Sequence, residues 1–115
     1  MKLVTTADLI TIPELKEMSE KMFGNMVKAV VDVEKQIMAV DVELHSDAEA
    51  FCLEDGSKQQ NLWGINLYPD LAAEDWIEFE SMINLRPSQG NRSRGVDDAA
   101  VREKISQIVN QLIKR

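Results

Sequence analysis

Val27-Lys28-Ala29-Val30-Val31-Asp32-Val33, then Glu34-Lys35-Gln36, then Ile37-Met38-Ala39-Val40-Asp41-Val42-Glu43-Leu44-His45 is the stretch on which the fold turns. Its apolar residues recur at every second position: Val27, Ala29, Val31 and Val33, then Met38, Val40, Val42 and Leu44. Successive side chains of a strand point to opposite faces, so this period predicts two half-buried strands. The polar link Glu34-Lys35-Gln36 is short, which favours an antiparallel hairpin.

Upstream the period lengthens. Thr11-Ile12-Pro13-Glu14 has the T-x-x-E spacing of a capping box, with proline in the first turn where its missing N–H costs nothing. Leu15, Met18, Met22 and Phe23 then share one helical stripe, and Gly24 is placed to end the helix. The methionines read as core filler rather than as a metal or partner site.

Downstream, residues 46–56 are ambiguous. Ser46-Asp47-Ala48-Glu49 reads as a second capping box with Gly56 as a stop, whereas Glu49-Ala50-Phe51-Cys52-Leu53 reads as a strand before the turn Glu54-Asp55-Gly56-Ser57. We expect the strand. Trp63, Ile65 and Leu67 alternate with Leu62, Gly64, Asn66 and Tyr68 until Pro69-Asp70, a further strand. Ile77, Phe79, Ser81, Ile83 and Leu85 then predict another, with Glu78, Glu80, Met82, Asn84 and Arg86 on its other face, closed by Pro87. The loop 87–95 is dense in turn formers, and Asp97-Asp98 opens a helix whose stripe is Val101, Ile105, Ile108, Val109 and Leu112, with Lys114-Arg115 at its negative end.

The expected architecture is α+β: one domain over residues 1–115, an antiparallel sheet of four to five strands with an N-terminal and a C-terminal helix on one face. The opposite face should then be polar and open. At 115 residues the chain suits one core, and 44% hydrophobic with 29% charged residues is the composition of a folding chain.

The same numbers limit function. No apolar run is long enough for a signal peptide or a membrane span, and the single Cys52 allows no internal disulfide, so we expect a cytoplasmic protein with no membrane contact. A net charge of −7 argues against nucleic acid as a partner. Residues 86–96 nevertheless hold Arg86, Arg92 and Arg94 with no acid, a local cationic feature better suited to one anion than to a polymer.

Two candidate sites follow. Parity places His45, Asn66, Glu78, Glu80, Asn84 and Arg86 on the non-apolar faces, where a histidine, carboxylates and an arginine can perform acid–base work on an anionic substrate, or simply form a solvated face with cross-strand ion pairs. His45 is the candidate catalytic group. The arginine loop is the second, with Asn84, Arg86, Arg92 and Arg94 as candidate ligand-binding residues, since guanidinium groups match phosphate or carboxylate oxygens. Asp97 and Asp98 can instead satisfy both the arginines and the helix end. Convergence of His45, Asn84 and Arg86 around one concavity favours chemistry; their dispersal favours interaction.

His45, Asp47 and Glu49 resemble a metal trio, but a solvated turn is the simpler account, and no metal or cofactor is expected. Cys52, between Phe51 and Leu53, reads as an inert buried thiol. Trp63 belongs to the core, and Trp76 is the aromatic placed for an exposed interface.

The stretches AVVDVEKQIMAVDVELHSDAEAFCLEDGSKQQNLWGINLYP and INLRPSQGNRSRGVDD resemble a family of small bacterial proteins of unknown function, over nearly the whole chain. That family often carries glycine just before its Glu-Leu-His, where this chain has Asp41 and Val42. The resemblance implies no activity. From the residues themselves we expect a binding or protein-interaction module, associating with another copy or a protein partner. The alternative is a small enzyme or sensor for a phosphorylated or carboxylated metabolite held by the arginine loop.

Overall fold

A computed structural model describes residues 1–114; Arg115, expected at the end of the last helix, lies outside the described residues. The hairpin forms as its period dictates. Val27–Asp32 (β3) pairs antiparallel with Ile37–Val42 (β4), and Asp32, 1% exposed, holds the reversal by accepting the Glu34 and Lys35 N–H groups on Oδ1, both at 2.9 Å. Such an Asx turn substitutes a side-chain oxygen for a backbone one. Lys2–Val4 (β1) pairs with β4, Leu62–Leu67 (β5) with β3, and Ile77–Glu78 (β6) with β5, giving a five-stranded antiparallel sheet in the order β1-β4-β3-β5-β6.

One face of the sheet carries both expected helices, Ile12–Met22 (α1) and Ala99–Leu112 (α3). Leu15, Ile105, Ile108, Val109 and Leu112 pack with Val27, Ala29, Val31, Met38, Val40, Trp63, Ile65 and Leu67 in one core. The Thr11 capping box is present, and Asp98 caps α3 by accepting the Ala100 N–H at 2.8 Å. Ile10–Thr11 (β2) and Ile113–Lys114 (β7) form a short parallel pair that clips the start of α1 to the end of α3. Met22 and Phe23, expected on the buried stripe, are 37% and 39% exposed at the end of α1.

The other face is not open. Residues 45–54 form a helix, His45–Glu54 (α2), where a strand was expected, and α2 covers the sheet's second face. Ala48 and Cys52 pack on Val30, Ala39, Val42 and Leu62, with Phe51 and Ile83 alongside. Val42 reaches this second core because of a bulge: Asp41 adopts φ 64°, and the β3–β4 register shifts between Lys28 and Ala29. The extra residue flips parity, so Val42 faces α2 while Met38 and Val40 face α1 and α3. Left-handed backbone favours glycine and is tolerated by aspartate.

The expected strand over residues 77–86 stops at Glu78. Gly64 explains why: a Cβ there would lie 2.5 Å from the Ser81 Cβ, so the chain passes directly over the β5 backbone instead of alongside it. Ser81 then caps a single 3-10 turn, Met82–Asn84. The Asn84 side chain takes the place of the missing strand, accepting the Gly64 N–H at 2.8 Å and donating to the Gly64 carbonyl at 2.9 Å. A second amide, Asn91, ties the following loop by donating to the carbonyls of Asn84, Ser93 and Gly95. Trp76, expected at an interface, is 1% exposed in the main core.

Asn84→Ala removes an amide that satisfies two buried backbone groups, and such losses cost about 2–4 kcal/mol. Urea denaturation should show a correspondingly lower midpoint, with Asn84→Asp more damaging than conservative size suggests because it cannot donate to the Gly64 carbonyl.

Candidate functional site

β3, β5 and β6 place Lys28, Asn66 and Glu78 side by side in one cross-strand row, through the pairs Lys28↔Asn66 and Asn66↔Glu78. The row lies on the α2 side of the sheet, beyond the point where α2 begins. Its exposed end is the floor of a cleft of about 370 Å³, walled by Leu44, His45 and Ser46 at the start of α2 and by Glu80, Ser81, Met82, Ile83 and Arg94 on the opposite side. Of the residues singled out by parity, the structure brings His45, Asn66, Glu78 and Glu80 together here, and Arg94 joins them from the loop.

His45 is 8% exposed, and its Nε2 lies 2.8 Å from the Ile65 carbonyl. A carbonyl only accepts, so Nε2 carries the proton and Nδ1 is the ring's acceptor in the neutral form. Burial pushes the imidazole pKa below its ordinary 6.5; the Ile65 bond opposes that shift. His45 is therefore a neutral, fixed ring at pH 7. α2 has no side-chain cap at Leu44, and the Asp47 N–H of its first turn donates to the Leu44 carbonyl at 3.1 Å.

Asn66 is 6% exposed and its Nδ2 donates to Glu78 Oε1 at 2.8 Å and to the Glu80 carbonyl at 3.3 Å. Those two bonds settle the amide orientation, and Oδ1 is left buried without a partner. Tyr68 donates to the same Glu78 Oε1 at 3.2 Å; burial first, then the nearby Glu78 carboxylate, raises the phenol pKa. Glu80 and Arg94 form an ion pair at 2.8 Å on the rim.

Asn84 and Arg86 do not line the cleft. Arg86 is 8% exposed, its guanidinium stacks 4.2 Å from the Trp63 ring centroid, and it donates to the carbonyls of Gln59 and Leu62. It binds the protein's own backbone. Arg92 is exposed, and its N–H donates to Asp97 at 2.7 Å, while the Ser93 hydroxyl donates to the other oxygen of that carboxylate. These bonds, the Ser93 hydroxyl first, hold the Asp97 pKa below its usual value. The arginine loop thus closes largely on itself, and His45, Asn84 and Arg86 are dispersed.

α2 turns Asp47 of the supposed metal trio away from His45 and Glu49, since residues two apart on a helix do not face each other. Among the described residues no three His, Cys, Asp or Glu side chains gather at metal-binding spacing. Cys52 is buried and its thiol is pushed up to about 11, by burial first and the Asp32 charge second. Sequence reasoning missed Lys28, Ser46 and Ser81. Lys28 was legible as a polar residue of β3, but only the register set it beside Asn66.

A family profile described as a protein of unknown function matches residues 4–112, from β1 to the end of α3. The chain belongs to DUF5674. No curated protein and no solved structure matches it. For this DUF5674 member, no helix among the described residues is long and apolar enough to cross a membrane.

The lowered His45 pKa has a signed consequence. The unfolded chain takes up a proton near pH 6.5 while the folded chain does not, so the contribution of His45 is present above pH 6.5 and is lost as pH falls toward the folded value. Urea midpoints measured from pH 7.5 down to 5.5 should decline, and His45→Gln should flatten that decline.

Proposed function

We propose that the protein is a non-catalytic binding module for a small polar ligand, seated in the cleft between the start of α2 and the β6 edge. The observation that carries this reading is Asn66, 6% exposed in the cleft floor with Oδ1 unpartnered. Buried acceptors are normally satisfied, so an unsatisfied one in a concave surface supports a ligand that completes it. Binding is favoured over catalysis because His45, the acid–base candidate, stands apart from Asn84 and Arg86. The cationic loop contributes Arg94, already paired with Glu80.

The test is nuclear magnetic resonance with a library of small polar metabolites. Binders should shift the backbone signals of His45, Ser46, Asn66 and Ser81, and Asn66→Ala should weaken them about tenfold, the change expected for one hydrogen bond to a charged group. A library that shifts none of these four residues, or only residues elsewhere, contradicts the proposal.

A second reading, association with another copy or a protein partner, is supported by Leu44 and Met82, 56% and 62% exposed on opposite lips of the cleft. Sedimentation velocity at rising concentration should then give an increasing mass that Leu44→Ser reverses. A constant monomer mass would remove self-association.

A further inference from the structure

Resting on the reading of the cleft as a ligand site, we infer that its ligand is a small zwitterion, an ammonium and a carboxylate a few bonds apart, of the chemical class of a free amino acid. Lys28 and Glu78 stand at opposite ends of the floor row with Asn66 between them. Neither forms an ion pair with a described residue. Glu80 and Arg94 neutralise each other on the rim. Lys28 Nζ lies 5.3 Å from the Phe23 ring centroid and Glu78 Oε1 accepts from Asn66 and Tyr68, but neither charge is neutralised by an opposite one among the described residues, so the cleft offers one cation and one carboxylate.

The cleft volume of about 370 Å³ restricts what fits to a small molecule.

The two ends differ in hydrogen-bond polarity as a zwitterion requires. At the Glu78 end stand acceptors: the carboxylate, and Asn66 Oδ1, whose amide nitrogen is committed to Glu78 and Glu80. An ammonium donates to both. On the opposite side stand donors: the Lys28 ammonium and the Ser46 hydroxyl at the start of α2. A carboxylate accepts from these, and the helix dipole adds to the attraction. His45 Nδ1 is one further acceptor along the wall.

The experiment is titration calorimetry of the full chain with the twenty free amino acids, each at up to about 10 mM, ten times a millimolar Kd. Propylamine and propionate serve as single-charge probes, with inorganic phosphate as an anion probe. The expected result is saturable binding of at least one amino acid, at least tenfold weaker binding of the single-charge probes, and at least tenfold loss in both Lys28→Met and Glu78→Gln. Unchanged urea midpoints in both variants confirm that they fold. Propionate or phosphate binding as tightly as any amino acid, with Glu78→Gln indifferent, overturns the zwitterion assignment while leaving the cleft as an anion site. No heat with any amino acid overturns it too, and the metabolite shifts at His45 and Asn66 then decide separately whether the cleft binds anything.

Discussion

The contact of the Asn84 side chain with the Gly64 backbone is the constraint on which the second half of the molecule depends. β5 needs a hydrogen-bonding neighbour on its outer edge, and β6 supplies one for only two residues. Gly64 lets the chain pass over β5 at a distance no side chain would permit, and Asn84 returns an amide to the exposed N–H and carbonyl. A carboxamide carries a donor and an acceptor side by side, the same pair that a strand would present. Because the chain crosses there, Glu80, Ser81 and Met82 rise above the sheet and become one wall of the cleft.

α2 is the complementary constraint. It covers the sheet over Val30, Ala39, Val42 and Leu62 but starts short of the row Lys28-Asn66-Glu78. The Asp41 bulge is what permits this, since it turns Val42 toward α2 and lets the chain enter the helix at His45. Aspartate here adopts φ 64°, a backbone conformation that glycine takes most readily. A pocket made between a helix start and an interrupted sheet edge is thus the by-product of two local departures from regular pairing.

Much of the fold was legible. The period-2 run at 27–33, its partner as far as Val40 and the stripe Val101, Ile105, Ile108, Val109, Leu112 each bury against a broad partner, so periodicity reported them; past Val40 the Asp41 bulge turns Val42 to the other core and leaves Leu44 exposed. α2 was obscured because its buried stripe is short and built of Ala48 and Cys52, while Leu44 and Leu53 point outward. The alternation at 77–85 misled for a different reason: beyond Glu78, Ser81 and Asn84 are fixed by hydrogen bonds to Gly64 and Arg94 rather than by a neighbouring strand. Parity still grouped His45, Asn66, Glu78 and Glu80 correctly, by way of a helix instead of a strand for His45. It failed for Asn84 and Arg86, whose polarity serves the protein's own backbone.

Native-state hydrogen exchange at the Gly64 amide is the most direct test of this account. Asn84 Oδ1 is the acceptor for that N–H, so protection should equal that of the β3–β5 ladder, and in Asn84→Ala it should fall selectively at Gly64. Fast exchange of the Gly64 amide in the native protein, at the rate of an open sheet edge, would contradict the junction and the cleft wall it supports.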